Sequence, residues 1–424
     1  MMRLGQPVWR LIVIVGVVAV GLALAIPQGL RQHIGQDFAV FWQAGRSFAT
    51  GGPLYHGYPP GARQFKYPPF AALIFTPLAL FPLPVAAVIV SFLNLGLWIA
   101  AVFLTRDIVA RTFPDRNHSW LPLALAVVLS AQFFLDNFHH VQVNGVILVM
   151  VLLGIRAYLE GYDVRAAAAI VTATAIKITP IFFAAWLVIR GRRRAALATI
   201  PIALACVLVP LLVRGPSRGA DELVEYYHTF LERHEHGEIG DYGAGQNIAA
   251  LVSRMTRGTE TRGETSFRYL PASGDTAQLA YHWVWAAVLL LYLLALAGLR
   301  VRNAPVSAFE LALIFLAALL LSPITFTTHL VPLLFVFTVV LSIPPGSVRG
   351  PARVLAAVVC LGIAASGLSG RDLAGDRVYR NVAGYSIHAW MMLILLLVMG
   401  ALACRSGPSQ SDVLEGSSSV PDDR

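Results

Sequence analysis

The stretch from Arg165 to Arg190, RAAAAIVTATAIKITPIFFAAWLVIR, decides the architecture of this chain. It is apolar between its terminal arginines, apart from small hydroxyl residues and a lysine, Lys177, three positions before Pro180. Read as one helix, it crosses a bilayer and exports the cluster Arg190, Arg192, Arg193 and Arg194, against the excess of Lys and Arg that cytoplasmic loops carry. Read as two half-length helices meeting at Lys177 to Pro180, it returns that cluster to the cytoplasm. The second reading satisfies the charge rule.

Apolar blocks lie on both sides of this pair: Val8 to Ile26, Pro84 to Leu104, Trp120 to Leu135, Val141 to Leu159, Ala195 to Val213, Trp283 to Leu299, Val306 to Leu321, Leu330 to Ile343, Val354 to Leu368 and Tyr385 to Ala403. Several are shorter than the roughly 20 residues of a perpendicular span, so short, proline-interrupted helices belong to the design. The expected fold is an all-α, polytopic integral membrane protein with about 12 transmembrane helices and both termini inside. Composition requires the same. Hydrophobic residues make up 57% of the 424 positions and charged residues 13%, roughly half the charged share of a soluble domain. Only helices that satisfy their own backbone hydrogen bonds carry such segments across lipid.

The net charge of +9 does not form a nucleic-acid-binding stripe. Arg106, Arg111 and Arg116, then Arg300 and Arg302, then Arg349 and Arg353, and finally Arg405 sit at block ends and read as cytoplasmic topology signals. Arg3 and Arg10 precede the run Leu11 to Ile26, which fits a signal peptide in isolation; with many spans following, an uncleaved first helix is expected. Cys206, Cys360 and Cys404 lie in or beside apolar segments without metal or disulfide spacing and read as packing residues.

Residues 1–404 read as a single transmembrane domain, with five segments outside: 31–82, 136–140, 214–281, 322–329 and 369–381. The loops 31–82 and 214–281 are too long to be connectors alone. Pro68, Pro69, Pro77, Pro82 and Pro84 break the apolar run Phe70 to Phe81 into a segment expected to lie on or dip into the membrane. Residues 405–424, rich in Ser, Asp and Pro, read as a disordered cytoplasmic tail. The sequon Asn117-His118-Ser119 falls on the cytoplasmic side.

Asp37 follows the first span closely and opens the amphipathic stretch to Ala49, where Phe38, Phe41, Trp42 and Phe48 are placed to face lipid. Two readings fit the aspartate: a helix N-cap, or a partly desolvated carboxylate that takes a proton from a hydroxyl. Of 32 basic Lys and Arg residues only Lys66 and Lys177 are lysines, both on the outer side and both near prolines. Either they reflect sequence drift, or they are compact ammonium groups that meet a phosphate at membrane depth. Asp136, Asn137, His139 and His140 cap two spans, with Gln142 and Asn144 opening the next helix; the group fits sugar binding or a satisfied helix end. His329 follows Ser322-Pro323 and reads as a packed histidine or a site residue. His234, Glu235, His236 and Glu238 fit a solvated loop better than a metal site. Gly215 to Gly219 matches a nucleophile elbow only formally, without the preceding strand. The lack of a phosphate loop, a zincin motif or an Asp-x-Asp pair argues against an ATP motor and against a metal-bridged nucleotide-sugar enzyme.

In this order the residues resemble glycosyltransferase family 87, the polyprenyl-phosphate-mannose-dependent membrane transferases of the C-type superfamily. The resemblance is carried by Asp37 after the first span, Gly52-Pro53-Leu54-Tyr55, Phe65-Lys66-Tyr67-Pro68-Pro69, Gln142-Val143-Asn144, Lys177-Ile178-Thr179-Pro180, Gln246-Asn247 with Arg254, and Leu321-Ser322-Pro323-Ile324 with His329. It extends to about residue 340. The family implies a C-type glycosyltransferase-like fold and metal-independent, inverting transfer of a sugar, mannose by default, with no cofactor. The partners it implies are a polyprenyl-phosphate-linked donor, a glycan or glycolipid acceptor, and membrane lipid. It also implies an inner (plasma) membrane location, with the active site on the extracytoplasmic face. By the same resemblance Asp37 is the general base, Lys66, Lys177 and His329 meet the donor phosphate, and Tyr55, Tyr67, Gln142, Asn144, Gln246, Asn247 and Arg254 bind substrate. The chain departs from the family at Val141, where a glycine usually precedes Gln-x-Asn, and at Gln246-Asn247-Ile248, a variant of an Asn-Gln-Ser run. Phe326 and Thr328 replace a Trp and a His near His329.

A transporter or lipid flippase is the rival reading, since about 12 helices and a broken hairpin suit alternating access. The asymmetric outer loops and the lack of a visible inverted repeat favour the enzyme. An assembly factor for envelope polymers fits the composition but leaves Asp37 and the lysines unexplained.

Overall fold

The computed structural model describes residues 6–33, 36–58, 63–113, 119–232, 245–257, 270–344 and 352–405, and among them every regular element is helical. His234, Glu235, His236, Glu238, Asn117, His118 and the tail beyond Arg405 lie outside the described residues. The helices are α1 (Gln6–Leu30), α2 (Asp37–Thr50), α3 (Pro69–Phe75), α4 (Leu83–Thr112), α5 (Leu121–His139), α6 (Asn144–Leu159), α7 (Asp163–Ile176), α8 (Ile181–Ile189), α9 (Arg193–Arg214) and α10 (Pro216–Tyr226). They continue with α11 (Ile248–Thr256), α12 (Gly274–Val301), α13 (Ala308–Leu321), α14 (Leu333–Leu341), α15 (Ala352–Leu368), α16 (Arg371–Gly384) and α17 (Ile387–Arg405). Sequence sets several of the ends. Asn247, Ser273 and Ser307 accept from the amides of Ala250, Thr276 and Glu310, capping α11, α12 and α13.

Among the described residues five helices, α4, α5, α9, α12 and α17, are long and apolar enough to cross a membrane, and α15 with α16 makes a sixth if a pair bent by 113° counts as one. The exterior of α9 carries exposed Leu197, Ile200, Leu204, Leu212 and Val213. A ridge of that kind on a soluble protein would be an aggregation site; here lipid is the partner that covers it. The chain is a multi-pass membrane protein. Every residue of α13, by contrast, is buried. A helix apolar on all sides sits in the interior, and α13 packs on α12, α14 and α17.

The Arg165 to Arg190 stretch forms two helices. α7 stops at Ile176, Lys177 is extended (φ −145°, ψ 125°), and α8 starts after Pro180. α7 and α8 pack on each other and both pack on α9. Arg192, Arg193 and Arg194 are exposed, whereas Arg190 is not part of a solvated cluster. Its guanidinium Nε lies 2.9 Å from Glu310 Oε1, and its terminal nitrogens reach the carbonyls of Leu299 and Ala304. Trp186 Nε1 donates to the same Glu310 oxygen at 2.8 Å.

The aromatic residues of α2 also differ from expectation. Phe38, Phe41 and Phe48 are buried in protein rather than turned to lipid, because α2 is overlaid by α3 and the 3-10 turn Thr76–Leu80. The Phe41 ring packs at 4.8 Å on those of Tyr67 and Phe75, tilted by 42° and 44°, and Trp42 Nε1 donates to the Phe81 carbonyl. Gly45 permits the approach: a Cβ there would lie 2.5 Å from the Phe75 carbonyl oxygen. α3 and its 3-10 extension are too short to span a bilayer. The segment 369–381, expected as a connector, contains most of α16, turned sharply from α15.

Candidate active site

One cavity of about 400 Å³ opens where the start of α2, the loop before α6, the α7/α8 break and the loop after α13 converge. Asp37, Lys66, Tyr67, Gln142, Lys177 and His329 all line it, together with Arg63. Phe41, Pro68, Tyr226, Phe230, Pro323 and Ile324 supply apolar wall. A polar centre inside apolar walls is the usual form of a small-molecule site, and here it sits at the end of the bundle.

Asp37 is the first residue of α2; the capping position is Gln36, which makes no side-chain cap. The carboxylate is therefore directed elsewhere. Its Oδ2 accepts from Gln142 Nε2 at 2.8 Å and lies 3.4 Å from His140 Nδ1, while Oδ1 is ion-paired with Arg63. The side chain is 14% exposed. Burial, reinforced by repulsion from Arg63 and Arg371 and opposed by Asp136, lowers the proton affinity of His140 below the ordinary imidazole value. The His140 contact is accordingly that of a neutral imidazole with a carboxylate at neutral pH.

The loop between α5 and α6 makes this possible by an unusual backbone. Val141 has φ +48°, a left-handed conformation that a β-branched residue rarely adopts. The reversal brings His140 and Gln142, on either side of it, to the same carboxylate oxygen. The Gln142 carbonyl is fixed by Asn94 Nδ2 at 3.0 Å and Asn137 Nδ2 at 3.4 Å. A glycine would take this conformation without strain, which is the physical meaning of the glycine that the family resemblance puts at this position. Val141 is fully buried beside Phe38 and Leu83, and that packing offsets the strain.

Lys177 is held from behind. Its Nζ donates to Asn144 Oδ1 at 2.7 Å, and Asn144 Nδ2 donates to the Thr328 carbonyl at 2.9 Å. Tyr67 presents its ring to the same ammonium, 5.9 Å from centroid to Nζ. Asn144 lies behind the main cavity, in a smaller chamber of about 50 Å³ that also meets Lys177 and His329. His329 Nδ1 is 3.2 Å from the Phe326 amide and 3.2 Å from the Ile324 carbonyl, so backbone fixes the ring. Lys66 is half-buried in the wall of the main cavity.

The remaining candidates stand outside the cavity lining. Tyr55 is buried and donates to the Tyr67 carbonyl at 2.8 Å, bracing the turn that carries Lys66 and Tyr67. Burial, with Tyr226 and Glu222 adding to it, raises the Tyr55 phenol well above its ordinary range, so it remains a donor. Asn247 Nδ2 donates at 2.7 Å to the carbonyls of both Ser322 and Pro323, and the Gln246 amide donates to the Thr325 carbonyl at 2.6 Å. Arg254 reaches Ser386 Oγ and the Gly245 carbonyl. Gln246 and Asn247 shape the loop Ser322 to His329 from outside, and Arg254 holds Gly245 beside them. Asp136 accepts from Thr327, which also meets the Tyr379 hydroxyl at 3.0 Å. Arg63 is the site residue that sequence reasoning missed. Its signal was its place three residues before Lys66, in a chain where one more arginine carries little information. Among the described residues no three His, Cys, Asp or Glu side chains come together as a metal site would require.

A polyprenol-phosphate-mannose-dependent alpha-(1-2)-phosphatidylinositol mannoside mannosyltransferase of Mycobacterium tuberculosis is 27% identical over 442 aligned residues, covering 96% of this chain and 95% of its own. A polyprenol-phosphate-mannose-dependent alpha-(1-2)-phosphatidylinositol pentamannoside mannosyltransferase from another strain of that species is 29% identical, over 70% of this chain and 65% of its own. The crystal structure of ArnT from Cupriavidus metallidurans bound to undecaprenyl phosphate aligns over 93% of this chain and 77% of its own, at 15% identity and a TM-score of 0.38. The model of glycosyltransferase family 87 matches residues 65–323, more than half of the chain. This membrane protein belongs to glycosyltransferase family 87.

Proposed function

We propose that this glycosyltransferase moves a mannosyl group from a polyprenol-phosphate-linked donor to a hydroxyl of a glycolipid or envelope glycan, with Asp37 as general base and inversion at the sugar carbon. The observation that carries the reading is that Asp37 shares one cavity with Lys66, Lys177 and His329. The names of the mycobacterial relatives, which specify that donor and a phosphatidylinositol mannoside acceptor, support the substrate class. Asp37 takes the proton of the acceptor hydroxyl as its oxygen attacks the anomeric carbon. The bond from that carbon to the phosphate oxygen breaks, and the lipid phosphate departs with the electron pair. Lys177 and Lys66 meet the charge that develops there, and His329 faces the same space. Asp37 is the one carboxylate among the described residues lining the cavity. A double displacement needs a nucleophile as well as an acid-base group, so a single carboxylate favours single displacement and inversion.

The proposed topology is one transmembrane domain over residues 1–404, about 12 spans in a C-type glycosyltransferase-like arrangement, with both termini inside. Loops 31–82 and 214–281, and with them the cavity, then face the outer side of the plasma membrane, where a lipid-borne donor reaches the site laterally. The test is product analysis with purified protein and a panel of polyprenyl-phosphate sugars, comparing wild type with Asp37→Asn. Transfer is expected from the mannosyl donor with inverted configuration, and the variant is expected to lose about 10²- to 10⁴-fold in rate with expression intact. Full activity of Asp37→Asn rejects the base; a retained configuration rejects the single displacement.

A further inference from the structure

Both oxygens of Asp37 are engaged in this structure. Oδ2 is held by Gln142 and His140, and Oδ1 by Arg63. Oδ2 already receives two partners, so an acceptor hydroxyl must approach Oδ1, the oxygen against which the Arg63 guanidinium lies. Gln142 is buried and its main chain is pinned by Asn94 and Asn137. His140 belongs to the same short, strained connection. Arg63 is different. It stands on the loop between α2 and α3, and its side chain is 58% exposed although its head enters the cavity.

The charge inventory of the cavity says where Arg63 would go. Among the described residues, Arg63, Lys66 and Lys177 line it against a single carboxylate. When a lipid phosphate enters, Arg63 has a second anion within the same space, one whose oxygens match the guanidinium fork in bidentate fashion. Lys66 and Lys177 hold that phosphate in place, so the arginine moves toward a preformed anion and away from the acid.

We propose that Arg63 masks Asp37 in the empty enzyme and transfers to the donor phosphate when the donor binds, so that the acceptor site becomes competent only after the donor is in place. This deepens the proposed reading of Asp37 as base and rests on it, but it is tested through binding rather than turnover. The two ligands are coupled through one side chain, and by linkage each must raise the affinity of the other.

The experiment measures binding of octyl α-mannoside, a neutral acceptor analogue, to the full-length protein in nanodiscs with and without undecaprenyl phosphate. In wild type, the lipid phosphate is expected to raise octyl mannoside affinity at least about 5-fold. In Arg63→Gln, octyl mannoside is expected to bind equally well with or without lipid phosphate, within about 2-fold, and undecaprenyl phosphate itself to bind roughly 10-fold more weakly. Binding of octyl mannoside by that variant also reports that it is folded. Arg63→Lys, which keeps the charge but not the fork, is expected to show intermediate coupling. No coupling in wild type, or undiminished coupling in Arg63→Gln or Arg63→Lys, overturns the proposal. Those outcomes leave the base assignment intact, since that stands on Asp37→Asn turnover; conversely, an active Asp37→Asn enzyme removes the base while a measured coupling would still assign Arg63 to the donor phosphate.

Discussion

Gln142 Nε2 donates to Asp37 Oδ2 at 2.8 Å, joining the loop before α6 to the first residue of α2 across 105 positions of sequence. The amide has little freedom, because Gln142 is buried and its own carbonyl accepts from two asparagines. Two residues further on, Asn144 accepts from Lys177 at 2.7 Å. The tripeptide Gln142-Val143-Asn144 therefore grips the carboxylate with one side chain and the ammonium with another. The distance between carboxylate and ammonium is set by a single rigid turn.

Removing the first grip is expected to show in turnover more than in binding. Gln142→Leu leaves Asp37 held by His140 and Arg63 alone, and a hydrogen bond to a charged group contributes about 1.5–3 kcal/mol. The expected result is roughly a 10- to 100-fold loss in kcat with little change in donor KM. Gln142→Glu adds a like charge beside the carboxylate and is expected to be worse than Gln142→Leu. Steady-state kinetics at saturating donor decides the matter, and a Gln142→Leu enzyme with wild-type kcat removes the residue from the machinery.

The second grip concerns the ammonium proposed to meet the leaving phosphate. Lys177→Met deletes a positioned cation, and losses for one such stabilising donor run to about 10²–10³-fold. Lys177→Arg is expected not to restore activity, because Asn144 and the Tyr67 ring enclose a compact ammonium rather than a planar fork. Rates with the polyprenyl-phosphate donor are the readout; wild-type turnover by Lys177→Arg would mean that charge alone suffices and that the enclosure has no role.

Parts of this were legible before any coordinates. A lysine and a proline inside an otherwise apolar run announce a broken helix, because neither is tolerated in the middle of a span without a reason, and the break is there between Ile176 and Ile181. Scarcity singled out Lys66 and Lys177, and both line one cavity with Asp37. Arginine abundance hid Arg63 for the same reason. Amphipathic spacing in α2 was misassigned: the pattern reports an apolar face, but not whether lipid or a neighbouring proline-broken segment covers it. Gln246, Asn247 and Arg254 carry the family resemblance yet stand outside the cavity lining, the first two behind the loop they shape and Arg254 on Ser386 and Gly245, since a motif marks a local arrangement without saying which side of the chain meets the ligand.

Val141 offers a test of backbone strain. At an ordinary buried position alanine is more stable than glycine, by about 0.5–1 kcal/mol. At φ +48° the order is expected to invert, so that Val141→Gly melts at or above Val141→Ala despite burying less apolar surface. Thermal unfolding of the purified variants in detergent measures it. If alanine is the more stable, the residue is not held in the left-handed region in solution.

His140 sets a pH dependence. Its proton affinity is lowered in the folded protein relative to the ordinary value of 6.5, first by burial. The unfolded chain therefore binds this proton more readily, and the stability linked to neutral His140 is present above about pH 6.5 and lost as pH falls toward the folded value. Melting temperature is expected to drop between pH 7.5 and pH 5.5, and less steeply in His140→Gln. Equal slopes in the two proteins would mean that His140 is as hydrated in the fold as out of it.

The other end of α8 determines whether the α7/α8 break can hold its shape. Arg190 is 6% exposed and Glu310 not exposed at all, and the pair ties α8 to the first turn of α13. Removing one partner leaves the other charge buried without its counter-charge, a loss of about 3–5 kcal/mol in comparable pairs. Arg190→Met and Glu310→Met are each expected to lower the melting temperature in detergent. The double variant should regain much of the loss, because two apolar side chains leave no stranded charge. Since α8 begins just past Lys177, the single variants should also lose transfer activity without touching the cavity. Recovery of stability but not of activity in the double variant would locate the function of the pair in fixing the angle of α8, whereas two single variants that melt like wild type would show that α13 and α8 are held together by apolar packing alone.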